Sequence, residues 1–67
     1  MKKQVNFICD TTPTRHEVQE AIDYCSCNDC VARITYAFKG QVYHTMIDKY
    51  DIVEDIMRYI SYIRNKY

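Results

Sequence analysis

Three cysteines within six residues are the part of this sequence most able to do chemistry. Cys25, Cys27 and Cys30 fall in the segment CSCNDC, and a fourth cysteine, Cys9, precedes them. Thiols at such spacings bind zinc, exchange with disulfides or form disulfides, and free cysteines also occur as small buried apolar residues. The spacing alone leaves these four roles open, so each must be weighed against the elements that position the thiols.

A structural zinc site needs a fourth ligand that the predicted elements do not bring to the cluster. Zinc in such sites is held by four ligands, usually Cys or His. Cys9 and His16 lie at the opposite end of the first predicted helix, roughly 17 Å away at a rise of ~1.5 Å per residue. His44 lies roughly 16 Å along a predicted strand at ~3.3 Å per residue. We therefore predict no metal or other cofactor, and keep zinc binding by Cys25, Cys27 and Cys30 as the alternative.

The redox and disulfide roles are disfavoured by position and by compartment. A reactive Cys-x-x-Cys pair lies at a helix N-terminus, where the helix dipole lowers the thiol pKa, whereas Cys27 and Cys30 follow the end of a predicted helix. Polar Gln4 and Asn6 interrupt any secretory signal at the start of the chain, so a cytoplasmic protein with reduced thiols is expected. We predict that Cys25 packs in the core, and that Cys27 and Cys30 line the turn after the helix.

The hydrophobic pattern predicts strand, helix, strand, strand, helix. Residues 4–9 alternate as a strand, and Thr14 and Glu17 have the spacing of a capping box at the start of a helix. Residues 31–38 and 41–47 form a hairpin around residues 39–40. Both helices carry an apolar stripe: Val18, Ala21, Ile22 and Cys25 in the first, and Ile52, Ile56, Tyr59, Ile60 and Ile63 in the second. We predict one domain over residues 1–67 with an α+β fold, in which two helices pack on one face of a three-stranded sheet.

The two-residue hairpin loop also predicts which side chains share a face. Phe38 would pair with Gln41 and Ala32 with Ile47, so that alternate residues point toward the helices and away from them. The side facing away carries several apolar residues with few polar ones among them, and such a patch on a small protein marks a contact surface. Our candidate partner-binding residues on this side are Ile8, Arg33, Val42, His44 and Met46.

Composition argues against several classes of function. Nine basic residues balance nine acidic ones, whereas nucleic-acid binding needs a basic surplus. No apolar stretch reaches the ~20 residues of a membrane span, and neither a catalytic triad nor a glycine-rich phosphate loop is present. We expect a non-enzymatic, cytoplasmic protein–protein interaction module that binds another protein or a second copy of itself. A phage-type inhibitor or modulator of a host protein would fit this description.

Two alternatives remain open at this point. The first is a small zinc-stabilised module that contacts nucleic acid through basic side chains near its start and its hairpin: Lys2, Lys3, Arg33 and Lys39. The second is a single-strand binder in which Tyr36 and Tyr43 stack on bases. The predicted pairing places both rings on the side covered by the helices, and this disfavours stacking.

Overall fold

Two helices pack on one face of a three-stranded sheet in the computed structural model, which describes residues 3–66. In chain order the elements are β1 (Lys3–Cys9), α1 (Arg15–Asn28), β2 (Cys30–Phe38), β3 (Gln41–Ile47) and α2 (Val53–Lys66). The central strand is β2, which pairs in parallel with β1 and antiparallel with β3. The predicted α+β fold and the order β-α-β-β-α are confirmed.

Local capping sets both ends of α1. The Glu17 amide donates to the Thr14 hydroxyl at 3.2 Å, and the Thr14 amide donates to the Glu17 carboxylate at 2.8 Å. This is the reciprocal capping box that the spacing predicted. At the other end, Asp29 adopts the left-handed conformation with φ 48°, and its amide donates to the carbonyl of Cys25. Between the caps, α1 buries the predicted stripe, consisting of Val18, Ala21, Ile22 and Cys25.

The hairpin between β2 and β3 has the predicted register. Lys39 and Gly40 have φ values of 50° and 78°, and two consecutive positive φ values are the mark of a type I′ turn, whose twist matches that of the strands. Phe38 pairs with Gln41 and Ala32 with Ile47. The inward side chains of the sheet join both helices in one core, to which the strands contribute Cys30, Ala32, Ile34, Tyr36 and Ile47.

The apolar stripe of α2 is narrower than predicted. Ile60 and Ile63 are buried, and Ile56 is half-buried against the core. The prediction that Ile52 and Tyr59 belong to this stripe is wrong, because Ile52 is 60% exposed and Tyr59 48% exposed. Ile52 precedes the first residue of the helix, and Tyr59 lies about 100° around the helix from Ile60.

Candidate functional site

The five predicted partner-binding residues lie on one surface, which we call the open face. It consists of the side chains of β1, β2 and β3 that point away from α1 and α2. The alternate side chains of the same strands point inward and pack with the helices. The strand registers arrange these side chains in rows across the sheet: Asn6, Arg33 and Met46; Ile8, Thr35 and His44; Ala37 and Val42.

Large apolar side chains are exposed on the open face. Ile8 is 83% exposed, Val42 65% and Met46 50%. Exposed Ala37 pairs with Val42 and lies diagonal to Ile8, so these three residues form a continuous apolar strip. Burying a side chain of this size stabilises a protein or a complex by about 1.5–3 kcal/mol. The isolated chain does not gain this free energy, because these side chains remain exposed to water.

Polar groups divide the apolar residues of the open face into two parts. Thr35 Oγ1 and His44 Nδ1 are hydrogen-bonded at 3.0 Å, in the row that separates Met46 from Val42. Arg33 is the one Lys, Arg, Asp or Glu on this face of the described strands, and it forms no ion pair with residues 3–66. The face therefore combines two apolar areas with one positive charge and contains no carboxylate.

Cys25 and Cys30 are core residues, which confirms the prediction for Cys25. The prediction that Cys30 lines the turn after the helix is wrong, because Cys30 is the first residue of β2 and points into the core. Both cysteines are buried, and the Cys25 thiol donates to the carbonyl oxygen of Ile47 at 3.7 Å. Burial, followed by the hydrogen bond to Cys30, raises the pKa of the Cys25 thiol to about 11. The thiol is therefore protonated at neutral pH and is a poor nucleophile.

Cys27 and Cys9 lie in different surroundings from the buried pair. Cys27 is exposed in the last turn of α1, so the prediction that it lines the turn after the helix is wrong. Half-buried Cys9 donates to a Glu17 carboxylate oxygen at 3.5 Å. Burial, together with that carboxylate, raises the pKa of Cys9 to about 11.

The zinc alternative gains no support from this arrangement. Within residues 3–66, no three His, Cys, Asp or Glu side chains are grouped so that they could hold a metal ion. Of the three clustered cysteines, Cys25 and Cys30 are buried while Cys27 is exposed. Lys2, which that alternative assigned to nucleic acid, lies outside the described residues.

The tyrosines proposed as base-stacking platforms point into the helix-covered side. Tyr36 is buried, and its ring stacks on Tyr43 with centroids 5.8 Å apart and an interplanar angle of 23°. One face of each ring is therefore occupied by the other ring, as the predicted pairing across the hairpin implied.

A cleft between the hairpin turn and α2 was not predicted from the sequence. It has a volume of about 360 Å³ and is lined by Phe38, Lys39, Ser61, Arg64 and Asn65. The hairpin residues and the α2 residues that line it are more than twenty residues apart in the chain. Neither group matches a sequence motif. One sequence feature could have drawn attention to this region. Lys39 precedes Gly40 at a turn position where asparagine or aspartate is preferred.

The open face and the cleft are two surface features of the described residues, and a smaller pocket of about 120 Å³ lies beside β1 and α1, where Cys9, Glu17 and Glu20 are among its lining residues. None of the helices in the described part of the chain is long and apolar enough to cross a membrane. The chain matches no protein-family model, no curated protein and no solved structure.

Proposed function

We propose that this protein is a non-enzymatic interaction module that binds another protein through the open face of its sheet. The observation that carries the proposal is the exposure of Ile8, Val42 and Met46 on one side of a sheet whose other side holds the whole core. Apolar side chains gathered in this way on a small domain are typical of contact sites.

The charge of the open face supports a partner different from the chain itself. Two copies docked face to face would bring Arg33 of each copy into an interface that offers it no carboxylate, and desolvating an unpaired charge is costly. A partner surface that is apolar and carries an Asp or Glu opposite Arg33 avoids this cost. We therefore propose a partner of that chemistry.

The size of the open face supports a reversible complex. The outer strands have seven residues each, and three strands about 4.8 Å apart and roughly 23 Å long give a footprint of about 330 Å². Stable complexes bury about 800 Å² on each partner. A small contact of this kind suits an inhibitor or modulator, and we propose a phage-type protein that acts on a host protein in the cytoplasm.

The test first identifies the partner and then measures its affinity for designed variants. A photo-crosslinking amino acid at position 42 captures the partner in cells, with position 62 on the exposed side of α2 as the control site. Binding of the purified partner is then measured by calorimetry. Val42→Asp and Met46→Asp should each weaken it at least tenfold, since each removes about 1.5–3 kcal/mol of apolar burial. Tyr62→Asp, an equally drastic change outside the open face, should leave it unchanged.

Three outcomes would contradict the proposal. Unfolding of both open-face variants in circular dichroism would mean that this surface belongs to a core. Sedimentation of the wild type as a dimer that Val42→Asp dissociates would make a second copy the occupant. Equal binding by wild type and Arg33→Glu would refute the acidic partner surface, because charge reversal must weaken a contact with a carboxylate.

A further inference from the structure

The strand β1 is an edge of the sheet, and its sequence gives it little protection against pairing with a further strand. Among the described strands it pairs with β2 alone, in a register that runs unbroken from Lys3–Cys30 to Cys9–Tyr36. Proteins commonly block such edges with a proline, charged side chains or a bulge, because free amide and carbonyl groups otherwise pair with another chain. Residues 4–9 contain neither proline nor a charged residue.

The core is less complete at β1 than at the opposite edge of the sheet. The inward side chains of Val5, Phe7 and Cys9 are all half-buried. On β3, by contrast, inward Thr45 and Ile47 are only 7% and 1% exposed. The pocket of about 120 Å³ between β1 and α1 has Phe7 and Cys9 in its lining. A further strand beside β1 would cover these side chains.

The two ends of β1 carry opposite charges on the inward side. Lys3 is exposed, shares this side with the other odd-numbered residues of the strand, and forms no ion pair within residues 3–66. At the other end, Cys9 donates to Glu17, which also accepts from a backbone amide of the helix cap. Neither donor is a cation, and a carboxylate has further acceptor sites. Glu20, which pairs with His16 at 2.7 Å, lines the same pocket.

We propose that β1 pairs antiparallel with β1 of a second copy, about a two-fold axis at Asn6, so that two chains form one six-stranded sheet. Opposed residues of an antiparallel pair point to the same side of the sheet. An axis at Asn6 therefore puts Lys3 of each copy opposite Cys9 of the other, beside the Glu17 carboxylate. Because the interface is two-fold symmetric, this ion pair forms at both ends of the strand pair.

The other pairs of this register are also compatible. On the inward side, Val5 of each copy lies opposite Phe7 of the other and covers its exposed part. On the outward side, Gln4 lies opposite Ile8, and the two Asn6 side chains face each other with amide donors and acceptors. The edge is a separate surface from the open face. The dimer sets two open faces side by side, and the proposal does not depend on the function assigned to them.

The proposal is tested by sedimentation of the full-length protein under reducing conditions, over concentrations up to the millimolar range. We expect a reversible dimer. Lys3→Glu should weaken it at least tenfold, because it brings carboxylates together at both ends of the interface. Adding Glu20→Lys to that variant should recover at least threefold. Arg58→Glu, which makes the same change in net charge on α2, should leave the dimer unchanged.

Cysteine crosslinking tests the register itself. In a Cys27→Ser background, Asn6→Cys should form an intermolecular disulfide on mild oxidation, because opposed Cα atoms are about 4.5–5.5 Å apart, within the range of a disulfide. Gln4→Cys is the matched control. Its two copies would lie about 13 Å apart along the strands, so it should not crosslink. Asn6 and Gln4 are both exposed, so both variants should keep the circular dichroism of the wild type.

Three results would overturn the proposal. The first is a wild type that stays monomeric at millimolar concentration, and the second is equal crosslinking at positions 4 and 6. The third is tighter association of Lys3→Ala, which would make Lys3 a residue that protects the edge. Val42→Asp should leave the edge dimer intact, so failure here is distinguishable from failure of the open-face proposal.

Discussion

Removing either hydroxyl of a buried pair, Tyr36 and Thr45, should destabilise the fold almost as much as removing both. The two hydroxyls share a hydrogen bond of 3.0 Å, and the side chains are only 1% and 7% exposed. Within residues 3–66, every buried side-chain nitrogen or oxygen has a partner. A substitution at one position leaves the other hydroxyl buried and unpaired, whereas the double substitution removes donor and acceptor together.

The magnitude follows from the cost of an unpaired group. Tyr36→Phe and Thr45→Val keep the shape of the core while deleting one hydroxyl each. A hydrogen bond contributes about 0.5–1.5 kcal/mol net, and an orphaned buried partner costs about 1–3 kcal/mol. We expect each single variant to lose about 1–2 kcal/mol of unfolding free energy. The double variant should lose about as much as one single variant, which gives a coupling free energy of about 1–2 kcal/mol in magnitude.

Urea unfolding followed by circular dichroism measures all four corners of this double-mutant cycle. Tyr62→Phe removes a hydroxyl from an exposed ring and serves as the control, with no expected change in unfolding free energy. Single-variant losses that add within about 0.3 kcal/mol in the double variant would refute the reasoning. They would mean that each hydroxyl finds another partner, such as water, when its neighbour is removed.

Three further predictions concern the helix cap and the thiols. Thr14→Ala should cost about 1 kcal/mol by removing the cap of α1, and should lower the melting temperature by about 4–8 °C. Iodoacetamide at neutral pH should rapidly alkylate one thiol per chain, Cys27, which peptide mass spectrometry can map. Stability should fall as the pH rises from about 9 toward 11, because the pKa values of Cys9 and Cys25 are raised to about 11 in the folded state. The thiols in the unfolded chain ionise at lower pH and draw the equilibrium toward unfolding; urea titrations at several pH values measure this.

Matched variants control each of these measurements. Thr11→Ala, in the loop before α1, should leave the melting temperature unchanged, and an equal loss there would contradict the capping argument. Cys27→Ser should abolish the rapid alkylation, so rapid labelling of a second thiol would show that the core thiols are accessible. Cys25→Ala should reduce the steepness of the alkaline loss, and an unchanged pH profile would mean that other groups cause it.

Short-range spacing accounts for the parts of this protein that could be predicted. Side chains alternate across a strand and a two-residue loop permits few hairpin registers, so the sequence predicted the pairing from Ala32–Ile47 to Phe38–Gln41 correctly. The capping box of Thr14 and Glu17 spans four residues and was equally predictable. These features placed the five candidate residues on one side of the sheet.

Features that depend on the packing of distant segments could not be read from spacing. The exposed positions of Ile52 and Cys27 depended on where each helix begins and ends, which a periodic pattern leaves uncertain by a residue or more. The cleft depends on how α2 lies relative to the hairpin turn, since its lining comes from both.

The sequence by itself determined the elements, their inward and outward faces, and hence the existence of the open face, because these follow from periodicities of two and 3.6 residues. Tertiary structure alone decided that β2 is the central strand, with β1 and β3 at the edges. The resulting rows place Asn6 beside Arg33 and Ile8 beside Thr35, which joins β1 to the hairpin on the open face. It also decided that two cations from separate elements share one cleft, because such neighbours arise only when the helices close over the sheet.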